Sequence, residues 1–194
     1  WSSLALENRE LYGIPASITL GQAILESGYG NSTLSILTNN HFNIKCKKDW
    51  TGDRRLWSDD NPDDCFRVYE SVEDSYIDYA EYLSSRSWYE PLFAYELTDY
   101  KNWAKGLKEA GYATDPEYAQ KLIRVIEDTH IYLLDEEDGL SRYNEHIAAV
   151  YGVTHIIPDS NAPEAEDIEV TEEKQPVIEE KPAETIHDHM AKAY

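Results

Sequence analysis

Positive charge is scarce in this sequence: 17 lysines and arginines stand against 38 aspartates and glutamates, a net charge of −21 over 194 residues. Proteins that bind nucleic acid need a basic surface, and so do proteins that dock on anionic lipid. Neither kind of partner is therefore expected. The sequence also lacks any run of 18 apolar residues, so no segment is predicted to span a membrane.

Cysteine is nearly absent as well, with only Cys46 and Cys65 in the chain. They do not form a Cys-x-x-Cys pair, and no Cys and His residues have zinc-site spacing, so no metal is predicted. Two cysteines that bracket a short loop fit a disulfide in an oxidising compartment. They fit two free thiols equally well, and the sequence leaves both alternatives open.

Phenylalanine is the third shortage, since 3 Phe accompany 15 Tyr and 5 Trp. Aromatic rings that carry a polar group suit half-wet surfaces, and sugar-binding grooves are one such place. The alternative is that these rings simply line a small core.

The chain divides into two unlike parts. Residues 1–134 contain 22 acidic and 13 basic residues, whereas residues 135–194 contain 16 acidic and 4 basic ones. Four of the eight prolines lie from Pro158 onward, and such a segment buries too little apolar surface to offset its ordering entropy. The predicted organisation is a folded domain over 1–135, a short helical extension over 136–157 and an acidic linker or tail over 158–194.

Helical periodicity predicts most of the secondary structure. The predicted helices cover residues 2–12, 16–27, 72–86, 99–110, 116–129 and, in the extension, 139–151. Ser71 with Asp74 forms a capping-box pattern, and Asp115-Pro116 is typical of a cap followed by a first-turn proline. Turn signals predict a β-hairpin within residues 45–68.

Glu26 is the residue whose position suggests chemistry. It ends an apolar helix on the edge shared with Thr19 and Gln22, directly before a turn that Gly28 and Gly30 allow through positive φ. A carboxyl group partly removed from water keeps its proton to higher pH, and glycosidic cleavage needs that proton because a sugar alkoxide is a poor leaving group. On spacing alone, an ordinary surface glutamate is the competing interpretation.

A series of motifs in fixed order resembles one enzyme family. The motifs are GIPASITLGQAILESGYGNSTLSILTNNHFNIKC at 13–46, DWTG at 49–52, CFRVYESVEDSYIDYAEYL at 65–83 and W-x-x-GL-x-x-AGYATDPEYAQKLI at 103–123. Together they resemble the N-acetylglucosaminidase domains of bacterial autolysins and flagellar cell-wall hydrolases, glycoside hydrolase family 73. The resemblance implies a mainly α, α+β lysozyme-like fold: a helical domain with a small β-hairpin lobe beside the cleft, followed here by the acidic tail.

The resemblance assigns the general acid to the glutamate of the Leu-Glu-Ser-Gly motif, which is Glu26. Some members use a second glutamate on the hairpin, but this chain has none between Lys45 and Tyr69. The expected substitute is Asp59 or Asp60, which could activate a bound water. Attack by that water would invert the configuration at the anomeric carbon. Attack by the substrate's own N-acetyl oxygen is the alternative.

Further cleft residues follow from the same resemblance. Tyr112 matches a tyrosine expected to steady the N-acetyl group or a developing charge, with core packing as the alternative. Asn43 stands where the family usually has Gly. After Gly, Asn is the residue that best tolerates a left-handed backbone conformation. Trp103 is a candidate for sugar stacking or for the core. The other expected substrate contacts are Tyr29, Asn40, His41, Trp50, Trp57 and Tyr118. Asn40 and His41 are also expected to fix the loop before the hairpin.

The function implied is an endo-β-N-acetylglucosaminidase that hydrolyses peptidoglycan glycan strands without a metal or organic cofactor. A muramidase or lytic transglycosylase is the nearest alternative, and a wall-binding module without activity is a third. The expected location is the bacterial cell envelope, either periplasmic or secreted. The composition of the tail also predicts a further wall-targeting module beyond Tyr194.

Overall fold

The computed structural model describes residues 1–48, 50–59 and 61–152, so the predicted tail over 158–194 lies outside the described residues. Within that part, helices and one two-stranded antiparallel sheet make up the fold. The prediction of a mainly helical domain with a small hairpin lobe is confirmed. None of the described helices is long and apolar enough to cross a membrane.

The helices and strands are numbered in the order in which they occur along the chain. The helices are α1 (Ser2–Tyr12), α2 (Ala16–Ser27), α3 (Thr33–Thr38), α4 (Val72–Ser84), α5 (Tyr100–Glu109), α6 (Tyr118–Asp128) and α7 (Gly139–Tyr151). The strands are β1 (Arg54–Trp57) and β2 (Asp64–Arg67), and 3₁₀ helices cover Glu90–Ala94 and Ile131–Asp135. The two 3₁₀ helices and α3 are too short for periodicity to reveal them.

Most helix boundaries agree with the sequence prediction, and the Ser71–Asp74 capping box is present. The predicted start of α6 is wrong, because the helix begins at Tyr118 rather than at residue 116. The Asp115 carboxylate accepts the backbone N–H of Glu117 at 2.8 Å and pairs with Lys121 at 2.8 Å. It therefore closes a turn ahead of the helix instead of capping the helix itself.

The hairpin lobe is joined covalently to the loop before it. Residue Arg54 pairs with Arg67 and Trp57 with Asp64 across the two strands. Cys46 and Cys65 form a disulfide, so the free-thiol alternative does not hold. The backbone N–H of Cys46 also donates to the carbonyl of Cys65 at 2.7 Å. The disulfide thus anchors one side of the lobe.

Helix α2 lies at the centre of the core. Every residue from Ala16 to Ala23 is buried, which explains why this helix is apolar around most of its circumference. Gly21 allows α6 to approach closely, since a Cβ there would lie 2.8 Å from Ile126 Cγ1 and 2.9 Å from Leu122 Cδ1. The core therefore fixes the helix that ends in Glu26.

The N-terminus of α2 is held by a carboxylate from far along the chain. Asp135 is buried, and its two oxygens accept the backbone N–H groups of Ala16 at 2.6 Å and Ser17 at 3.2 Å. Arg9 Nε lies 3.7 Å from the same carboxylate. Burial nevertheless raises the pKa of Asp135 to about 6. The local sequence supplies no capping side chain here, so Asp135 takes that role.

A partly buried charge cluster ties the hairpin lobe to α4. The guanidinium of Arg67, at the end of β2, donates to both oxygens of Asp78 at 2.8 Å. The Tyr69 hydroxyl donates to the same carboxylate at 2.5 Å. The Arg67 guanidinium also lies over the rings of Trp50, at 4.6 Å, and Tyr82. This cluster sets the position of the hairpin relative to the helices.

Candidate active site

Glu26 is positioned by the last turn of α2 and by the left-handed turn that follows. Gly28, Tyr29 and Gly30 all have positive φ, as the two glycines predict. Glu26 as a residue is half-buried, and desolvation raises the pKa of its carboxyl group to about 7. In a fraction of the molecules, Glu26 therefore carries a proton at neutral pH. A general acid for glycosidic cleavage requires that proton.

A chain of buried hydrogen bonds leads to Glu26. The Tyr79 hydroxyl donates to Gln22 Oε1 at 2.6 Å, and Gln22 Nε2 donates to the Tyr118 hydroxyl at 2.7 Å. Tyr118 in turn hydrogen bonds to the Glu26 carboxyl group. Because the Tyr118 oxygen accepts from Gln22, its own proton is directed at Glu26. This bond favours the carboxylate and partly opposes the rise in its pKa.

Asn43 supplies the second donor to Glu26. Its Nδ2 lies 2.8 Å from the Glu26 carbonyl oxygen and 3.3 Å from Glu26 Oε2. The φ of Asn43 is 48°, so asparagine does adopt the left-handed conformation expected at this position. Asn43 therefore preserves the turn and adds a side-chain contact that glycine could not make.

Tyr112 packs beside this group. Its ring stacks on Tyr118, with the centroids 5.8 Å apart, and its hydroxyl donates to the Phe42 carbonyl at 3.2 Å. Burial raises the pKa of the Tyr112 hydroxyl well above its usual value, so the group stays protonated. The hydroxyl proton is engaged by the backbone, and Tyr112 braces the loop that carries Asn43.

The hairpin contributes a carboxylate through Asp59. Lys45 lies between two carboxylates, 3.0 Å from Asp59 and 2.8 Å from Asp64. The negative charge of Asp59 also contributes to the raised pKa of Glu26, so the two groups are electrostatically coupled. Asp60, the other expected substitute for a hairpin glutamate, lies outside the described residues.

Asn40 and His41, two other expected substrate contacts, are buried. Asn40 Nδ2 donates to the carbonyls of Ile44 and Arg67, while Oδ1 accepts the N–H groups of Phe42 and Ile44. Both ends of the Asn40 amide are thus used to fix the loop. The ring of His41 lies against Trp1 rather than beside Glu26.

Tyr29 and His41 line a separate cavity of about 200 Å³. Ala23 and Ile24 line it from α2, and helical spacing places these two residues on a different face from Gln22 and Glu26. The structure therefore does not bring Tyr29 and His41 together with the general-acid candidate.

The tryptophans occupy different environments. Trp103 is fully buried, so it belongs to the core and cannot stack on a sugar. Trp50 donates its Nε1–H to the Asp53 carbonyl at 2.8 Å and packs on Arg67. Trp57 is half-buried at the end of β1. Of the three, Trp57 keeps ring surface without a described aromatic or cationic partner.

The sequence prediction did not identify the roles of Gln22 and Tyr79. Gln22 lies one helical turn before Glu26 on the same edge, which was a usable signal. Tyr79 comes from α4, 57 residues away, and had no local signal. Among the described residues, no group of three His, Cys, Asp or Glu side chains could hold a metal ion.

Comparison with known proteins gives consistent matches over the helical domain. Residues 2–131 match the glucosaminidase family model, described as mannosyl-glycoprotein endo-beta-N-acetylglucosaminidase. The chain is 35% identical to the peptidoglycan hydrolase FlgJ of Vibrio parahaemolyticus, in an alignment that covers 58% of this chain and 40% of that protein. It is 36% identical to the exo-glucosaminidase LytG of Bacillus subtilis, in an alignment that covers 68% of this chain and 49% of that protein.

Two solved structures match this chain as well. The peptidoglycan hydrolase from Sphingomonas sp. A1 has a TM-score of 0.59 and 31% identity, covering 76% of this chain and 90% of that one. The glycoside hydrolase domain of FlgJ from Salmonella typhimurium has a TM-score of 0.56 and 29% identity, covering 78% and 90%. The chain spans less than half the length of the two curated relatives above.

Proposed function

The chain belongs to the glucosaminidase family of glycoside hydrolases, and from that premise we propose that it is an endo-β-N-acetylglucosaminidase acting on peptidoglycan. The bond cleaved in this proposal is the β-1,4 linkage after GlcNAc. The observation that supports it most is a glutamate in the family's motif that burial keeps partly protonated at neutral pH.

In the proposed reaction, Glu26 donates its proton to the glycosidic oxygen as the bond to C1 breaks. This transfer leaves Glu26 as a carboxylate. Tyr118 and Asn43 both hydrogen bond to that group in a manner that favours the charged form. They therefore stabilise the state that forms as the proton leaves, while Gln22 keeps the Tyr118 hydroxyl in the donating orientation.

The positive charge that develops at C1 needs a second group. Asp59 is our candidate for the base that activates a water, because it is a hairpin carboxylate coupled electrostatically to Glu26. Its contact with Lys45 keeps a positive charge beside it. Attack by the N-acetyl oxygen of the substrate is the alternative route, in which Asp59 would only assist through its charge.

The same proposal places the protein in the bacterial envelope, in the periplasm or outside the cell, where peptidoglycan lies. The Cys46–Cys65 disulfide is consistent with an oxidising compartment. The proposed organisation keeps the domain limits predicted from sequence, with residues 158–194 as a linker to a further wall-targeting module.

The proposal is tested by incubating the protein with purified sacculi and identifying the released ends by mass spectrometry. We expect fragments of varied length with GlcNAc at the reducing end. Release of single terminal GlcNAc residues would instead indicate an exo-acting enzyme. Reducing MurNAc, or its anhydro form, would contradict the bond assignment and support a muramidase or lytic transglycosylase. Binding to sacculi without release of fragments would support the inactive wall-binding module.

A further inference from the structure

The hydrogen-bond chain that reaches Glu26 starts at Tyr79 in α4. Tyr79 is fully buried, and its ring stacks on Phe42 with the centroids 4.0 Å apart and an interplanar angle of 12°. Burial raises the pKa of the Tyr79 hydroxyl well above its usual value, so the group keeps its proton. The chain therefore begins with a donor whose position is fixed by packing.

Gln22 is the member of the chain whose direction is not set by its own chemistry. Its side-chain amide has an acceptor end and a donor end of nearly the same shape, and rotation by half a turn exchanges them. Because Tyr79 donates to Oε1 at 2.6 Å, the donor end, Nε2, faces the Tyr118 hydroxyl at 2.7 Å. Gln22 is fully buried, so contact with bulk solvent does not decide which end faces which tyrosine.

The orientation of this amide decides what Tyr118 can do. Nε2 of Gln22 presents a proton to the Tyr118 oxygen, so the single proton of the Tyr118 hydroxyl is left for Glu26. With the amide reversed, Oε1 would face Tyr118 and accept that proton instead. The Tyr118 oxygen could then accept the acid proton of Glu26, which the glycosidic oxygen needs.

We propose that Tyr79 is a positioning residue for the general acid. By donating to Gln22, it makes Tyr118 a donor and so leaves the acid proton for the substrate. This inference rests on the proposed function, in which Glu26 is the acid. Among the described residues Tyr79 makes no hydrogen bond to Glu26 itself, so its effect passes through Gln22 and Tyr118.

The other groups that act on Glu26 come from separate elements. Asn43, from the loop before the hairpin, hydrogen bonds to its carboxyl group, and Asp59 of the hairpin acts on it through charge. Tyr112, from the loop before α6, is electrostatically coupled to it as well. These three residues stay unchanged in every variant of the test, so a change in the titration of Glu26 is traced to the chain from Tyr79.

The test compares four variants of the full chain with the wild type: Tyr79→Phe, Tyr118→Phe, the double variant of these two, and Tyr76→Phe. Tyr76→Phe is the matched control, since Tyr76 is also buried in α4 and its hydroxyl makes no hydrogen bond to another described residue. Carbon-13 NMR follows the titration of the Glu26 carboxyl group in the free protein. The pH dependence of kcat/KM on soluble glycan fragments is measured in parallel.

We expect Tyr79→Phe to move the titration midpoint of Glu26 upward by roughly half a pH unit to one, because the carboxylate loses part of its hydrogen bonding to Tyr118. The fall of kcat/KM at high pH should move by the same amount. The double variant should titrate like Tyr118→Phe alone, since Tyr79 acts only through Tyr118. Tyr76→Phe should titrate like the wild type.

Three results would overturn the inference: an unchanged midpoint in Tyr79→Phe, an equal shift in Tyr76→Phe, or a double variant that shifts clearly beyond Tyr118→Phe. If Tyr79→Phe does not fold, Gln22→Met tests the same chain. It removes the N–H group at the Tyr118 oxygen, which can then accept the acid proton, so the midpoint should again move upward. An unchanged midpoint in Gln22→Met would overturn the inference as well.

Failure of the proposed function gives a different pattern, because the NMR titration does not depend on turnover. If the wild type cleaves no glycan, the function is wrong, but the expected shifts would still support the control of Glu26 by Tyr79. If the wild type cleaves glycan and Tyr79→Phe titrates like the wild type, the function stands and the inference about Tyr79 is wrong.

Discussion

Replacing Glu26 by Gln is expected to lower the rate of glycan cleavage by about 10²- to 10⁴-fold, the usual contribution of a general acid. The amide has nearly the same shape as the carboxyl group but no acidic proton to give to the leaving oxygen. Rates are measured as release of reducing ends from sacculi at pH 6, where Glu26 is largely protonated because its pKa is about 7.

The same substitution should not destabilise the fold. The folded-state pKa of Glu26 is raised above its ordinary value of 4.5, so the folded chain binds this proton more tightly than the unfolded chain. The contribution of Glu26 to stability is therefore greatest below about pH 4.5 and falls as the pH rises through about 7. We expect Glu26→Gln to unfold at an equal or higher temperature than the wild type above that pH.

Two further variants sharpen this comparison. Glu109→Gln makes the same chemical change at an exposed position of α5 and should leave the rate unaltered. Asp59→Asn should lower the rate by about 10²-fold if Asp59 activates the attacking water, and much less if the N-acetyl oxygen attacks. A rate for Glu26→Gln within tenfold of the wild type would contradict its assignment as general acid.

Asp78→Ala is expected to lower the free energy of unfolding by about 3–5 kcal/mol. Arg67 is only 4% exposed. The substitution leaves its guanidinium without the carboxylate partner. The Tyr69 hydroxyl loses its acceptor at the same time. Urea unfolding at neutral pH measures the loss, which should be accompanied by weakened attachment of the hairpin to α4.

The matched control for this prediction is Asp63→Ala, an exposed aspartate of the same lobe, which should change stability by less than about 0.5 kcal/mol. A second variant, Arg67→Met/Asp78→Leu, removes both charges and should recover much of the lost stability. If Asp78→Ala costs less than about 1 kcal/mol, the cluster does not hold the lobe in the way described.

The helices with strong local signals could be predicted from the sequence. The apolar pattern and Gly28 give both ends of α2, and that prediction places Glu26 at the end of the helix before a left-handed turn. The start of α6 could not be found in the same way, because Asp115-Pro116 favours a turn as well as a helix cap. Short-range patterns do not distinguish these two outcomes.

Features that depend on distant parts of the chain were not predictable. The carboxylate that caps α2, from Asp135, lies 119 residues from Ala16. Gln22 meets Tyr118 and Tyr79 at separations of 96 and 57 residues. A single sequence carries no periodic signal for such contacts, since they arise only when the helices pack. For the same reason, only the packed structure shows that Trp103 lies in the core and that Tyr29 and His41 face another cavity.

The most direct test of Glu26 as the proton donor is the pH dependence of kcat/KM on soluble glycan fragments, for the wild type and for Tyr118→Phe. The wild-type rate should fall about tenfold per pH unit above about 7, as the proton on Glu26 is lost. In Tyr118→Phe this fall should begin at higher pH, because the hydroxyl that lowers the pKa of Glu26 is gone. A wild-type rate that stays constant up to about pH 9, or a fall at the same pH in both proteins, would contradict the account.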